Sequence, residues 1–106
     1  MADIHLKRGN TRPSVAATLR DSQGPLDLTG ATVQFVMTDC AGNEILKAPA
    51  TVIGAEIGRV QYDWQAGDTD ATGSFRAEFD VTFSDGSNLT VPNDRDIEVL
   101  IMSDLG

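Results

Sequence analysis

The chain has 106 residues, 41% hydrophobic and 23% charged, a balance that argues against disorder and predicts one domain spanning residues 1–106. Sixteen acidic side chains against eight basic give a formal charge of −8, and the only local cluster of cations is Lys7, Arg8 and Arg12. Nucleic acids and anionic membranes need clustered Lys and Arg, so neither is expected as a partner.

The start, MADIHLKRGN, lacks the apolar stretch of a secretory signal. No apolar run approaches the roughly 18 residues of a membrane span, so a soluble chain made in the cytosol is expected. Cys40 is the single cysteine, which rules out an intrachain disulfide and fits a reducing compartment or a protein assembled inside a cell before release.

In chain order, residues 4–7 and 15–19 are short strand candidates separated by the breaker Gly9-Asn10. After the turn SQGP (22–25), Val33, Phe35 and Met37 alternate with Thr32, Gln34 and Thr38, the period of a strand with one buried face. The turn Ala41-Gly42-Asn43 follows, then a weak strand candidate at 51–57 that ends at Gly58. Val60, Tyr62 and Trp64 alternate with Arg59, Gln61 and Asp63. Residues 64–72 are short and polar and are expected to hold at most one helical turn.

The strongest pattern lies at 73–83, where Phe75, Ala77, Phe79, Val81 and Phe83 alternate with Ser74, Arg76, Glu78, Asp80 and Thr82. A helix would scatter those phenylalanines around its circumference. Ser84 to Ser87 supplies hairpin-turn chemistry, Asn88 to Val91 returns, and Pro92 ends that strand or marks a sheet edge. Ile97, Val99 and Ile101 alternate with Asp96, Glu98 and the less polar Leu100. Seven or eight short strands with frequent turns predict an all-β, antiparallel immunoglobulin-like sandwich. Its expected core is Val33, Phe35, Val60, Tyr62, Trp64, Phe75, Phe79, Val81, Val99 and Ile101.

The residues that carry chemistry do not converge. His5 is the only histidine, so most His-based metal sites and paired-base schemes are closed. No serine sits in a G-x-S-x-G elbow, and Cys40 falls in a turn. Glu78 and Asp80 share the polar face of one strand, where solvation keeps carboxylates ionised rather than poised as acids. GDTDATG (67–73) offers Asp68 and Asp70 but lacks the further ligands and closing glutamate of a calcium loop. We expect a corner there, with Asp68 or Thr69 capping a helical turn and Gly73 swinging the chain into the next strand. Asn88-Leu89-Thr90 matches a glycosylation acceptor without a signal peptide to deliver it, and Arg8-Gly9-Asn10 lacks the acidic residue of an integrin tripeptide. No catalytic residue, cofactor or metal is expected, with a weak calcium site formed by Asp68 or Asp70 together with another loop as the lesser alternative, and an enzyme is the least favoured class.

Taken in order, the features form a recognisable series. Lys7, Gly9, Asn10 and Thr11 open it, and Gly24 precedes Leu28-Thr29-Gly30-Ala31 with Val33 and Phe35. Gly58, Val60, Tyr62 and Trp64 follow, then Asp68-Thr69, Gly73, Phe75, Glu78, Phe79, Asp85-Gly86 and Pro92. This series resembles the N-terminal immunoglobulin-like domain of phage baseplate upper proteins and related small tail proteins of phages and prophages. The resemblance covers nearly the whole chain, mostly at core and turn positions, and likewise makes GDTDATG a strand-entry corner.

The resemblance implies a non-enzymatic virion component of a tail, baseplate or tail tip, synthesised in the bacterial host cytoplasm. Its implied partners are other virion proteins, with a homo-oligomer also open. Contacts are expected from the segment 4–8, the loop 22–25 and the strand 97–102. The candidate partner contacts are Ile4, Leu6, Arg8, Leu100 and Met102, the last two because they interrupt an otherwise polar strand face. The alternative function is a carbohydrate-binding or adhesin module, which would display aromatic side chains.

Overall fold

The structure is a computed structural model and describes residues 4–12, 14–21, 23–91 and 97–103. Expectations for Ser22, Pro92 and Asp96 lie outside the described residues. The strands are β1 (Ile4–Lys7), β2 (Val15–Thr18), β3 (Arg20–Asp21), β4 (Gly24–Pro25), β5 (Thr32–Asp39) and β6 (Glu44–Pro49). They continue as β7 (Thr51–Gly54), β8 (Arg59–Tyr62), β9 (Gly73–Thr82), β10 (Asn88–Val91) and β11 (Ile97–Met102). Two main sheets form a sandwich. The larger runs β1-β11-β9-β5-β6, with β10 also pairing with β9, and the smaller runs β2-β8-β7. The short strands β3 and β4 make a separate hairpin.

The long strand β9 organises the larger sheet. One flank pairs with β5 along Phe75 to Thr82; the other is shared by β11 near its start and β10 near its end. The alternation read from the sequence fixes its faces: Phe75, Ala77, Phe79 and Val81 are buried, whereas Ser74, Arg76 and Thr82 are exposed. All ten residues of the expected core are buried. Aromatic rings join the sheets. Phe35 of β5 stacks on Tyr62 of β8 at 4.6 Å between ring centres, and Trp64 meets both edge-on at 5.5 Å. Phe79, opposite Phe35 on β9, tilts against it at 5.4 Å. Offset and edge-to-face pairs of this kind add to the burial of large apolar surfaces.

Four features depart from expectation. β1 pairs in parallel with β11, Leu6 lying opposite Ile101, whereas the antiparallel expectation followed from hairpin turns. No turn links these two strands, so turn chemistry does not set their direction. β6 was not foreseen: Glu44, Lys47 and Pro49 are poor strand formers, tolerated because this strand is a sheet edge. The segment 51–57 keeps its strand only to Gly54, after which Ala55–Ile57 forms a 3-10 turn closed by Gly58 in the left-handed region. Residues 64–72 form hydrogen-bonded turns rather than a helix, with the Asp68 N–H donating to Gln65 O at 3.1 Å.

Candidate functional site: a polar corner and a sheet edge

The GDTDATG corner is built by two side chains that tie it to distant parts of the chain. The Asp68 carboxylate accepts hydrogen bonds from the Tyr62 hydroxyl and, at 2.7 Å, from the Gln65 N–H. Thr69 is 1% exposed and donates its hydroxyl to the Asn10 carbonyl at 2.8 Å; its own carbonyl accepts the Gly9 N–H at 3.1 Å. The expected caps are therefore corrected: Asp68 bonds back toward the preceding strand and Thr69 bonds across to the N-terminal segment. Gly73, with φ 134°, starts β9 as the corner reading requires. One Asp68 oxygen is engaged by protein donors, and among the described residues no group of three His, Cys, Asp or Glu side chains could hold a metal ion.

Burial, with the Asp68 carboxylate as second cause, raises the Tyr62 phenol well above its ordinary value. The neutral phenol is the form the fold favours. Its stabilisation is complete below the free phenol's pKa of about 10 and is lost as pH rises beyond it. Tyr62 is the only tyrosine, so absorbance of the phenolate reports it alone. We expect that absorbance to appear clearly above the ordinary range and together with alkaline unfolding. Ionisation near pH 10 in the folded protein would contradict this placement. Asp68→Ala leaves two donors without their carboxylate and is expected to destabilise by about 1–3 kcal/mol, measured by denaturant unfolding.

Other surface carboxylates serve turns. Asp39 accepts the Ala41 and Asn43 N–H groups, both at 2.9 Å, and Asp85 accepts the Ser87 N–H at 2.9 Å. These bonds hold both carboxyls below the usual aspartate range, Asn43 being the main cause for Asp39 and Ser87 for Asp85. They are loop staples. A shallow recess of about 390 Å³ is lined by Cys40, Ser74, Phe75, Arg76 and Glu98. Within it the Cys40 thiol donates to the Ser74 carbonyl at 3.3 Å. His5 pairs with Leu100, which pairs in turn with Ser74, so the backbones of His5 and Ser74 stand two strand spacings, roughly 10 Å, apart.

The five expected contact residues all lie at the β1–β11 end of the larger sheet, where β1 is the edge strand. They do not share a surface. Leu6 is 3% exposed and belongs to the core, so its place among the contacts is corrected: Ile101 lies opposite it on the inner face. Ile4 is half-buried against that core. Leu100 and Met102 are half-buried on the outward face beside His5 and Lys7, and Arg8 is exposed just past β1, its N–H donating to Met102 O at 2.7 Å. In the 22–25 loop, Gly24 and Pro25 form β4, paired with β3. Of the six aromatics, Phe35, Tyr62, Trp64, Phe75 and Phe79 are buried and Phe83 is half-buried.

The sequence matches the BppU N-terminal domain model over residues 2–94. The chain belongs to this family, the N-terminal domain of phage baseplate upper proteins. Among solved structures, it resembles the N-terminal domain of ORF48 of phage TP901-1, with a TM-score of 0.71 and 13% identity. That match covers 94% of this chain and 84% of the other. CopC from Methylosinus trichosporium OB3b is similar at a TM-score of 0.55 and 16% identity, over 98% of this chain and 87% of that one. At these identities the likenesses concern the fold. No curated protein matches the sequence.

Proposed function

We propose that the chain is a non-enzymatic building block of a phage or prophage tail, baseplate or tail tip, acting through protein–protein contacts in assembly or host attachment. The observation that carries this reading is the family match across residues 2–94. The outward face at the β1–β11 edge supports it, because Leu100 and Met102 place apolar side chains where the strand is otherwise polar. Arg8 is exposed just past the end of β1 beside that face, and other virion proteins are its partners. The protein is synthesised in the host cytoplasm and incorporated into particles. A carbohydrate-binding role gains nothing from the aromatics, since a sugar platform needs rings that solvent can reach.

The test is incorporation into particles. Purified virions carrying the wild-type chain are compared by quantitative mass spectrometry with virions carrying Leu100→Lys or Met102→Lys. Each variant is expected to weaken docking about tenfold or more, equivalent to at least ~1.4 kcal/mol. Wild-type incorporation by both variants would remove this edge from the contact, and absence of the wild-type chain from particles would overturn the reading altogether.

A further inference from the structure

β1 is the outermost strand of the larger sheet, and one side of it is unpaired among the described residues. The Arg8 N–H reaches Met102 O on β11. In this parallel pair the main-chain groups of Leu6 therefore also turn toward β11, and those of His5 and Lys7 turn away. The Lys7 carbonyl accepts the Asn10 N–H at 3.0 Å. The open side thus presents the His5 N–H, the His5 carbonyl and the Lys7 N–H: donor, acceptor, donor. Other edges are less suited to receive a strand. β6 and β7 each carry a one-residue irregularity, and β6 ends in Pro49, which has no N–H. β2 and β10 pair regularly on their one occupied side but hold no charged side chain.

Charge distinguishes β1 from them. Lys7, Arg8 and Arg12 are exposed, and no acidic residue lies between positions 4 and 12. That stretch holds a formal +3 in a chain of −8, so −11 lies elsewhere. An anionic partner is attracted to this edge and repelled by the rest of the surface.

We infer that β1 receives an extended acidic segment of a neighbouring virion protein as an added strand. The inference rests on the chain being a virion component. A polypeptide answers the open edge because its backbone brings acceptors for the two N–H groups and a donor for the His5 carbonyl. A DNA or lipid phosphate brings acceptors only. Side chains specify the partner further. His5 and Lys7 stand on the outward face, whereas Ile4 packs half-buried against the core on the inner one. The added strand accordingly alternates, with carboxylates on the outward face opposite Lys7 and apolar side chains on the inner face covering Ile4.

Hydrogen exchange read by mass spectrometry, on the free chain and on the chain in purified particles, tests the inference. The His5 and Lys7 amides are expected to exchange at least about tenfold more slowly in particles. Unchanged exchange in particles that contain the chain would overturn the added strand and leave the virion role intact. A chain absent from particles would overturn both. Two variants separate main chain from charge. His5→Pro removes an outward N–H but no bond to β11, at a position where edge strands tolerate proline, and is expected to cut incorporation about tenfold or more. Lys7→Glu is expected to do the same, whereas Lys47→Glu, the same charge change on β6, leaves incorporation at the wild-type level. Urea unfolding followed by Trp64 fluorescence checks that every variant is folded. Wild-type incorporation of folded His5→Pro would contradict main-chain pairing, and equal incorporation of Lys7→Glu and Lys47→Glu would contradict an acidic partner at this edge.

Discussion

Phe35→Ala is expected to remove about 3–5 kcal/mol of stability, the range for truncating a fully buried phenylalanine. Phe35 is inaccessible to solvent and is the hub of the aromatic contacts, touching Tyr62, Trp64 and Phe79 at 4.6–5.5 Å. It joins β5 of one sheet to β8 of the other, so its loss opens a cavity at the centre of the sandwich. Small domains have only about 5–15 kcal/mol in total, so the variant should be close to unfolded at physiological temperature. At about 4–8 °C per kcal/mol, the melting temperature should fall by roughly 12–40 °C. Thermal and urea unfolding followed by Trp64 fluorescence measures this. A loss below ~1 kcal/mol would show that the sheets are not joined through this ring.

Gly58→Ala should be the second most damaging single change, although it adds only a methyl group. Gly58 has φ 70°, and a β-carbon there would stand 2.5 Å from the Leu19 carbonyl oxygen and 3.0 Å from that of Leu26. Both obstacles are backbone, so relief requires moving the main chain at Leu19 and Leu26. The Leu19 N–H donates to Gly58 O at 2.8 Å, and the Leu26 N–H to Leu19 O at 2.9 Å, so the same displacement breaks hydrogen bonds. The left-handed conformation costs about 1–2 kcal/mol, and overpacking adds about 1–3. Gly42→Ala is the control: φ is 89° but nothing lies within 4 Å of the added carbon, so only the conformational cost applies. Equal losses in the two variants, measured by denaturant unfolding, would contradict the close approach.

These two sites differ in how far the sequence announces them. Phe35 lies in a strict period of two, and a buried face follows from that pattern without further information, as it does for β9. Gly58 reads only as a breaker, because its role depends on Leu19 and Leu26, which no local pattern connects to it. Thr69 is similar. It is buried because its hydroxyl reaches Asn10, 59 residues away, and a threonine among polar neighbours gives no sign of that.

Edges were the least legible part. β6 carries Glu44, Lys47 and Pro49, and the bulge at Ile45 disrupts the alternation that would have revealed it. Edge strands are selected against looking like strands, since a regular apolar edge invites aggregation. Leu6 shows the converse. Ile4 and Leu6 alternate with His5 and Lys7, a signal sufficient to turn Leu6 inward, although the segment as a whole reads as an edge open to partners. Of the candidate contact residues, Leu100 and Met102 lie half-buried on the outward face of that edge.

Immunogold electron microscopy with an antibody to this chain, on particles released from an infected culture or an induced lysogen, tests the structural reading most directly. The account predicts label at the tail tip or baseplate of intact particles. Particles that never take up label, from a culture in which the protein is made, would contradict it.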